Sequence, residues 1–268
     1  MKKLLSTTLA AAVLMLPLVA NAVTYGTIEA QIVDFDARPA TIFKPGTGFN
    51  EAGGGIGTFV ITDAILASTG DPFLDNLVDS VGDRFLAYCM EPDETVRIGT
   101  TYTYTFDIVD LAEAPTSPEA GPMGAIGDLW IKRILQDTGY DTVDEFVAGS
   151  TISNQFALQV ALYEAGYEDP NLTQYNINAG QARITNSGAN GLDLAAMHTS
   201  ANDVSRGLGD LLDINTYALL NVNREPSTRG VYTGQDFFVY TRTAVPEPLS
   251  LGLMGLGLLG LAGFTRKH

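Results

Sequence analysis

Two residues with complementary chemistry stand about 70 positions apart in this chain: the thiol of Cys89 and the side-chain amide of Gln159. Cys89 is the only cysteine. In an exported chain its thiol would stay unmodified, pair with another molecule, or bond to something other than sulfur. Gln159 lies in a run with helical spacing, where Phe156 and Tyr163 share its face. An amide buried there needs hydrogen-bond partners, or a reaction that removes its NH₂ group.

The first 22 residues have the three parts of a secretory signal peptide. Lys2 and Lys3 supply the charged start, residues 4–19 form an apolar segment, and Ala20-Asn21-Ala22 is a small-x-small cleavage site. The apolar run is shorter than the roughly 20 residues that a membrane-spanning helix needs. We therefore expect residues 1–22 to be removed on export, which leaves Cys89 outside the cytoplasm.

Residues 245–268 form a second targeting pattern at the other end. Pro246, Glu247 and Pro248 are followed by an apolar stretch over residues 249–264 and by the basic cluster at 266–268. An apolar helix with a basic end predicts insertion into a membrane. The tail resembles the PEP-CTERM sorting signal of Gram-negative bacteria that make exopolysaccharide. The resemblance implies recognition and cleavage by an exosortase, and a plain single-pass tail anchor is the alternative.

Charge excludes several classes of partner. Residues 23–244 hold 30 of the 31 acidic residues and 11 of the 15 lysines and arginines, a net charge of −19. Such a chain repels nucleic acid and anionic lipid head groups, so we expect membrane contact only through the C-terminal helix before processing. The length suits a single ectodomain over residues 23–244. We expect it at the cell surface, in the outer envelope or in the extracellular matrix.

Periodicity along the ectodomain predicts strands at both ends and helices between them. Alternation of apolar and polar residues predicts strands over residues 25–35, 58–62, 84–90, 101–109, 216–222 and 236–242. Helical spacing and caps predict helices over residues 126–138, 142–147, 154–165 and 192–212, the last of them interrupted or frayed near Gly207 and Gly209. The third helix is expected to have Ser153 as its N-cap and to stop at Gly166. We predict an α+β fold: an antiparallel β-sheet or sandwich with a helical insertion.

The region around the cysteine and the glutamine resembles a known family. The aromatic-Cys pair Tyr88-Cys89 on a predicted strand precedes a Leu-Gln-x-Ala-Leu-aromatic helix, and this combination is similar to the split motif of bacterial thioester domains. The resemblance runs from about Phe85 to Tyr167. It implies that the Cys89 sulfur condenses with the Gln159 side-chain carbonyl, releases ammonia and leaves an internal thioester.

That condensation has requirements of its own. The thiol must lose its proton locally although a free cysteine has a pKa of about 8.5, and hydrogen-bond donors must polarise the amide carbonyl. Proximity held by the fold replaces a catalyst, so no cofactor and no histidine is needed. Tyr88, Tyr102 and Tyr163 are candidates for lining the pocket and donating hydroxyls. Tyr163 stands where the family more commonly has Trp, and Leu158 where it more commonly has Thr.

Three functions from different classes remain open. The first is an adhesin or cross-linker, not an enzyme, that acylates amines or hydroxyls of a partner such as exopolysaccharide, once per molecule. The second is a passive structural or carbohydrate-binding matrix protein in which Cys89 is an inert buried thiol. The third is a secreted polysaccharide hydrolase, for which the sequence singles out no pair of carboxylates.

Other motifs are weak. His198 is the only histidine between the two end signals, and no second His or Cys stands at ligand spacing, so we expect no metal there. The Gly53–Gly57 run lacks the Lys-Ser/Thr of a phosphate loop, and we expect a hairpin or loop instead. Calcium needs several oxygen ligands, but no EF-hand pattern surrounds the candidate aspartates Asp34, Asp36, Asp71, Asp75 and Asp79.

Overall fold

The computed structural model describes most of the ectodomain. It describes residues 24–44, 49–66, 84–90, 96–114, 123–167, 174–176, 183–186, 191–206, 211–222, 225–226, 232–233 and 235–242. The two end signals lie outside these ranges, and so do Asp71, Asp75 and Asp79. Across the described ranges no helix combines the length and the apolar composition needed to cross a membrane.

Nine strands and four α-helices make up the described chain. The strands are β1 (Gly26–Lys44), β2 (Phe49–Leu66), β3 (Arg84–Cys89), β4 (Thr103–Asp110), β5 (Arg183–Asn186), β6 (Ile214–Asn221), β7 (Glu225–Pro226), β8 (Tyr232–Thr233) and β9 (Phe237–Arg242). The helices are α1 (Gly124–Thr138), α2 (Val143–Gly149), α3 (Ile152–Tyr167) and α4 (Gly191–Ala201). The predicted mixture of helices with antiparallel strands is confirmed.

Six strands close into a barrel. Their order is β2-β3-β9-β6-β4-β1, and β1 pairs with β2 to complete the ring, with every pairing antiparallel. Closure depends on the length of β1, which pairs with β4 through residues 26–31 and with β2 through residues 28–44. A closed ring leaves few unpaired strand edges. The sheet is therefore barrel-like, and the sandwich alternative is not confirmed.

The barrel interior is filled by one face of each strand. The ring of Phe237 in β9 lies 5.0 Å from that of Phe59 in β2 and 5.6 Å from that of Phe106 in β4. Neither strand is hydrogen-bonded to β9, so these contacts cross the interior. Partners in the antiparallel ladders share this face, and its fully buried members include Ile28, Ala30, Ile32, Ile61, Phe85, Ala87, Ile108 and Leu219.

Helices α1 and α2 cover part of the outer face. Thr216 of β6 donates a hydrogen bond to Asp128 of α1, and the backbone N–H of Leu86 in β3 donates to the carboxylate of Asp144 in α2 at 3.1 Å. The predicted start of α2 is confirmed, since the Thr142 hydroxyl accepts the N–H of the residue three positions on at 3.2 Å. Gly139 ends α1 with a φ of 76°, the left-handed conformation that favours glycine.

Helix α3 is the central helix of the helical layer. Every residue from Phe156 to Gly166 is buried, as expected of a helix that is apolar all round. The predicted N-cap at Ser153 is wrong: the Thr151 hydroxyl accepts the N–H of Asn154 at 3.2 Å, and Ser153 lies inside the first turn. The helix also continues through Gly166 to its last residue at 167, because its buried packing outweighs the weak helix propensity of one glycine.

Two further expectations concern a glycine run and a helix end. The Gly53–Gly57 run lies in a hairpin, one of the two predicted alternatives: it is part of β2, and residues 54–57 pair with residues 37–40 of β1. Helix α4 ends at Ala201 instead of continuing to 212. Its end is fixed by Asn202, whose side-chain amide donates to the carbonyl of His198 at 3.0 Å and to that of Tyr175 at 2.8 Å. The bond to His198 satisfies a carbonyl in the last turn of α4, and the bond to Tyr175 joins the helix end to a segment outside the helix.

Candidate functional site

Strand direction brings Cys89 to one end of the barrel. Strands β3 and β6 both run antiparallel to β9, so the last residues of β3 and β6 meet the first residues of β9. The backbone N–H of Met90 donates to the carbonyl of Asp236 at 2.9 Å, and the N–H of Asn221 donates to the carboxylate of Asp236 at 2.7 Å. We call this region the Cys89 end of the barrel.

The thiol of Cys89 points to the interior side of β3. Side chains alternate along a strand, so Cys89 shares its face with Phe85 and Ala87, and only 3% of it is exposed. The hydroxyl of Tyr163 in α3 lies 3.0 Å from the Cys89 sulfur and donates to it. A hydroxyl at this position can donate to negative charge that develops on the sulfur.

Gln159 lies one helical turn before Tyr163 on α3 and also contacts Cys89. Its side-chain NH₂ donates to the backbone carbonyl of Cys89, and none of the side chain is exposed. Gln159 and Tyr163 are four positions apart and therefore lie on one face of α3. The structure thus brings together Cys89, Gln159 and Tyr163. Within the described residues no donor reaches the side-chain carbonyl oxygen of Gln159.

The other two tyrosines named from the sequence lie elsewhere. Tyr88 precedes Cys89 and so faces the opposite side of β3, where it is paired with Phe238. Burial raises the pKa of Tyr88 well above its usual value, and nearby Tyr240 adds to the shift. Tyr102 is 40% exposed, and the guanidinium of Arg97 stacks over its ring at 5.2 Å. Among the described residues neither hydroxyl is hydrogen-bonded to the thiol or the amide.

The structure also buries polar residues that the sequence did not single out. Gln235 and Asp236 come directly before β9, and Glu164 follows Tyr163 inside the apolar helix α3; all three are at most 3% exposed. A carboxylate in the middle of an otherwise apolar helix is a signal that sequence inspection can find, because such groups are buried only when paired. Asp236 has a clear structural role, since it accepts hydrogen bonds from the chain at the ends of β3 and β6.

The site meets part of what acyl chemistry at sulfur requires. It holds a thiol, a hydroxyl donor at that sulfur and an amide beside the same residue, and it excludes water almost completely. The requirement for a donor at the Gln159 carbonyl oxygen is not met among the described residues. In the ranges that the structure describes, no three His, Cys, Asp or Glu residues form a group able to hold an ion. His198, the histidine considered from the sequence, packs against the ring of Tyr175 at 5.9 Å.

Comparison with known proteins identifies the C-terminal tail. Residues 244–267 match the PEP-CTERM protein-sorting motif, and this match covers the tail alone. No curated protein and no solved structure matches the chain significantly. The expectation drawn from Pro246, Glu247 and Pro248 is thereby confirmed. The chain carries a sorting signal for an exosortase, which indicates an exported protein of the cell envelope or surface.

Proposed function

We propose that this surface protein is an adhesin or cross-linker that stores an internal thioester between the sulfur of Cys89 and the side-chain carbonyl carbon of Gln159. The observation that carries the proposal is the hydrogen bond from the Gln159 amide to the backbone carbonyl of Cys89, across 70 residues of sequence. A buried amide held against the backbone of the only cysteine of the chain is the arrangement from which the condensation would start.

The proposed reaction forms one carbon–sulfur bond and breaks one carbon–nitrogen bond. The Cys89 thiolate attacks the carbonyl carbon of Gln159, and the tetrahedral intermediate expels the NH₂ group. That group takes up the thiol proton and leaves as ammonia. An incoming amine would later attack the same carbon, form an amide and return the thiol. Each molecule reacts once, so the protein is a single-use reagent and not an enzyme.

Two features of the site support this chemistry. The first is the Tyr163 hydroxyl, which lies 3.0 Å from the sulfur and can stabilise the thiolate both as attacking group and as leaving group. The second is burial: Gln159 and Tyr163 are wholly inaccessible and Cys89 nearly so. Exclusion of water protects a reactive ester from hydrolysis. No cofactor enters any step.

The partners follow from the chemistry and the sorting signal. An exosortase would process the tail, and the thioester would acylate amines or hydroxyls on exopolysaccharide or on a neighbouring surface. The reaction would take place in the outer envelope or biofilm matrix of a Gram-negative bacterium. The strongly acidic ectodomain, with a net charge of −19 over residues 23–244, favours basic or neutral targets over nucleic acid and anionic lipids.

Intact mass of the purified ectodomain tests the proposal. The expected mass is lower than the sequence mass by one ammonia, and the deficit disappears in Cys89→Ala and in Gln159→Ala. Methylamine treatment should add one methylamine at position 159. Gln155→Ala is the matched control, because Gln155 lies one turn earlier on α3 and donates instead to the carbonyl of Val147 at 2.8 Å. A full mass with Cys89 open to alkylation after denaturation contradicts the thioester and leaves the passive matrix protein.

A further inference from the structure

A separate cavity lies between the four helices. Its volume is about 230 Å³, and it is lined from α1, α2, α3, α4 and the loop after α1. None of Cys89, Gln159 and Tyr163 lines it. The proposed thioester therefore makes no use of this cavity, and its shape and chemistry can be considered independently.

One side of the cavity is apolar. Ile134, Phe146 and Met197 are at most 8% exposed and form its buried lining. Tyr140 is half-buried and packs edge-on against Phe146, with the ring centroids 5.6 Å apart. An aromatic ring beside a buried apolar surface provides a flat wall that can contact the C–H face of a ligand ring.

The rest of the lining carries hydrogen-bonding groups, mostly acceptors. The Ser200 hydroxyl donates a hydrogen bond to the carbonyl of Ala196 at 3.1 Å, so the lone pairs of its oxygen remain available to accept hydrogen bonds from a ligand. The Asn154 side chain has no hydrogen-bond partner among the described residues and offers both an acceptor and a donor. The Asp137 carboxylate adds further acceptors. A ligand that fits must bring several hydrogen-bond donors.

The charge of the cavity is largely neutralised. The Arg206 guanidinium pairs with the Asp137 carboxylate at 2.5 Å, so a cationic ligand would have to compete with an ion pair that already exists. An uncharged ligand with several hydroxyl groups meets no such competition. The volume lies below the roughly 300–1,000 Å³ of sites that hold drug-sized ligands, which limits the occupant to about one ring.

We propose that this interhelical cavity binds a single uncharged sugar ring. One face of the ring would lie against Tyr140 and the apolar lining, and its hydroxyls would donate to Asp137, Asn154 and Ser200. The site would let the protein hold a saccharide without any covalent bond. It differs from the proposed thioester in residues, in ligand chemistry and in reversibility, so either one can exist without the other.

Binding of free monosaccharides to the ectodomain tests the proposal. Saturation-transfer NMR with glucose, galactose, mannose and N-acetylglucosamine is expected to show saturable binding of at least one of them, with a Kd of about 1 to 10 mM for so small a ligand. Asn154→Ala should weaken that binding about fivefold or more through the lost hydrogen bonds. Ser153→Ala is the matched control, because it changes the neighbouring position of the same helical turn and does not line the cavity.

Three outcomes overturn the proposal. The first is that none of the four sugars shows saturable binding. The second is equal binding by Asn154→Ala and Ser153→Ala variants whose circular dichroism matches that of the unaltered protein. The third is glycerol binding as tightly as the sugars, which would remove the role of the ring. Cys89→Ala is expected to bind sugar normally, so a failure of the thioester and a failure of the sugar site are read from different experiments.

Discussion

Opening the proposed thioester should lower the stability of the ectodomain by a calculable amount. A bond between Cys89 and Gln159 joins positions 70 residues apart. Closing a loop of this length removes conformational entropy from the unfolded chain, and the usual loop-closure relation gives about 4 kcal/mol at 25 °C. For a domain of this size each kcal/mol shifts Tm by about 2–4 °C. Methylamine should therefore lower Tm by about 8–16 °C.

Methylamine is a suitable perturbation because it changes little else at the site. The product is an N-methyl amide that keeps one N–H, so the hydrogen bond to the backbone carbonyl of Cys89 can still form. The assay is calorimetric or urea unfolding of one preparation before and after methylamine, with incorporation measured by mass. The Cys89→Ala protein, exposed to the same amine, is the control and should keep its Tm.

The result that refutes the reasoning is specific. If mass spectrometry shows methylamine at position 159 while Tm stays within about 2 °C of its starting value, the cross-link does not constrain the unfolded chain as calculated. If no methylamine is incorporated and the starting mass is full, the thioester itself is absent. The two failures are therefore distinguished by the mass measurement alone.

Three further predictions follow from single contacts. Tyr163→Phe should slow both formation and methylamine opening of the thioester, because the sulfur loses its hydroxyl donor, and time-resolved intact mass measures both rates. Thr151→Ala should reduce the free energy of unfolding by about 1 kcal/mol through loss of the α3 N-cap, as measured by urea unfolding. Burial raises the pKa of Asp144, so the folded state holds its proton more tightly than the unfolded chain, and stability falls as pH rises from 3.8 through the folded-state pKa. Asp144→Asn should remove that part of the pH dependence.

Each of these predictions has a control within the chain. Tyr88→Phe removes a buried hydroxyl from the opposite face of β3 and should leave the thioester rates unchanged; equal slowing by both variants would contradict the role of Tyr163. Ser153→Ala should change stability by only a few tenths of a kcal/mol, and a loss as large as that of Thr151→Ala would restore Ser153 as the cap. Parallel curves of stability against pH for Asp144→Asn and the unaltered protein would mean that the carboxyl does not titrate differently on folding.

The sequence predicts local elements well because an element that buries one face has apolar residues at a regular spacing, every second residue in a strand and every three to four residues in a helix. Residues 101–109 alternate cleanly and become β4, and residues 126–138 repeat at helical spacing and become most of α1. Closure of the barrel could not be read in this way. It depends on β1 pairing with two different strands along its length. A regular spacing of apolar residues shows that one face of an element is buried, but it does not show which other element covers that face.

The candidate site was only partly predictable for a related reason. The motif placed Gln159 opposite Cys89, and the helical spacing placed Tyr163 on the same face. Tyr88 is different: consecutive residues of a strand point to opposite sides, so the alternation that buries the thiol also turns Tyr88 away from it. Tyr102 lies just before β4 and is exposed beside Arg97, a contact outside the strand that alternation cannot show.

The position of β9 determines how the molecule would carry tension. This strand is flanked by β3 on one side and β6 on the other, and the sorting tail begins three residues after its last residue, Arg242. Strand β9 pairs with β6 from residue 237 to 242, but with β3 only at Phe237 and Phe238. A pull on the tail would therefore load the β6 ladder in shear along the whole strand, and the β3 ladder would add resistance only at the end of β9 that lies farthest from the tail.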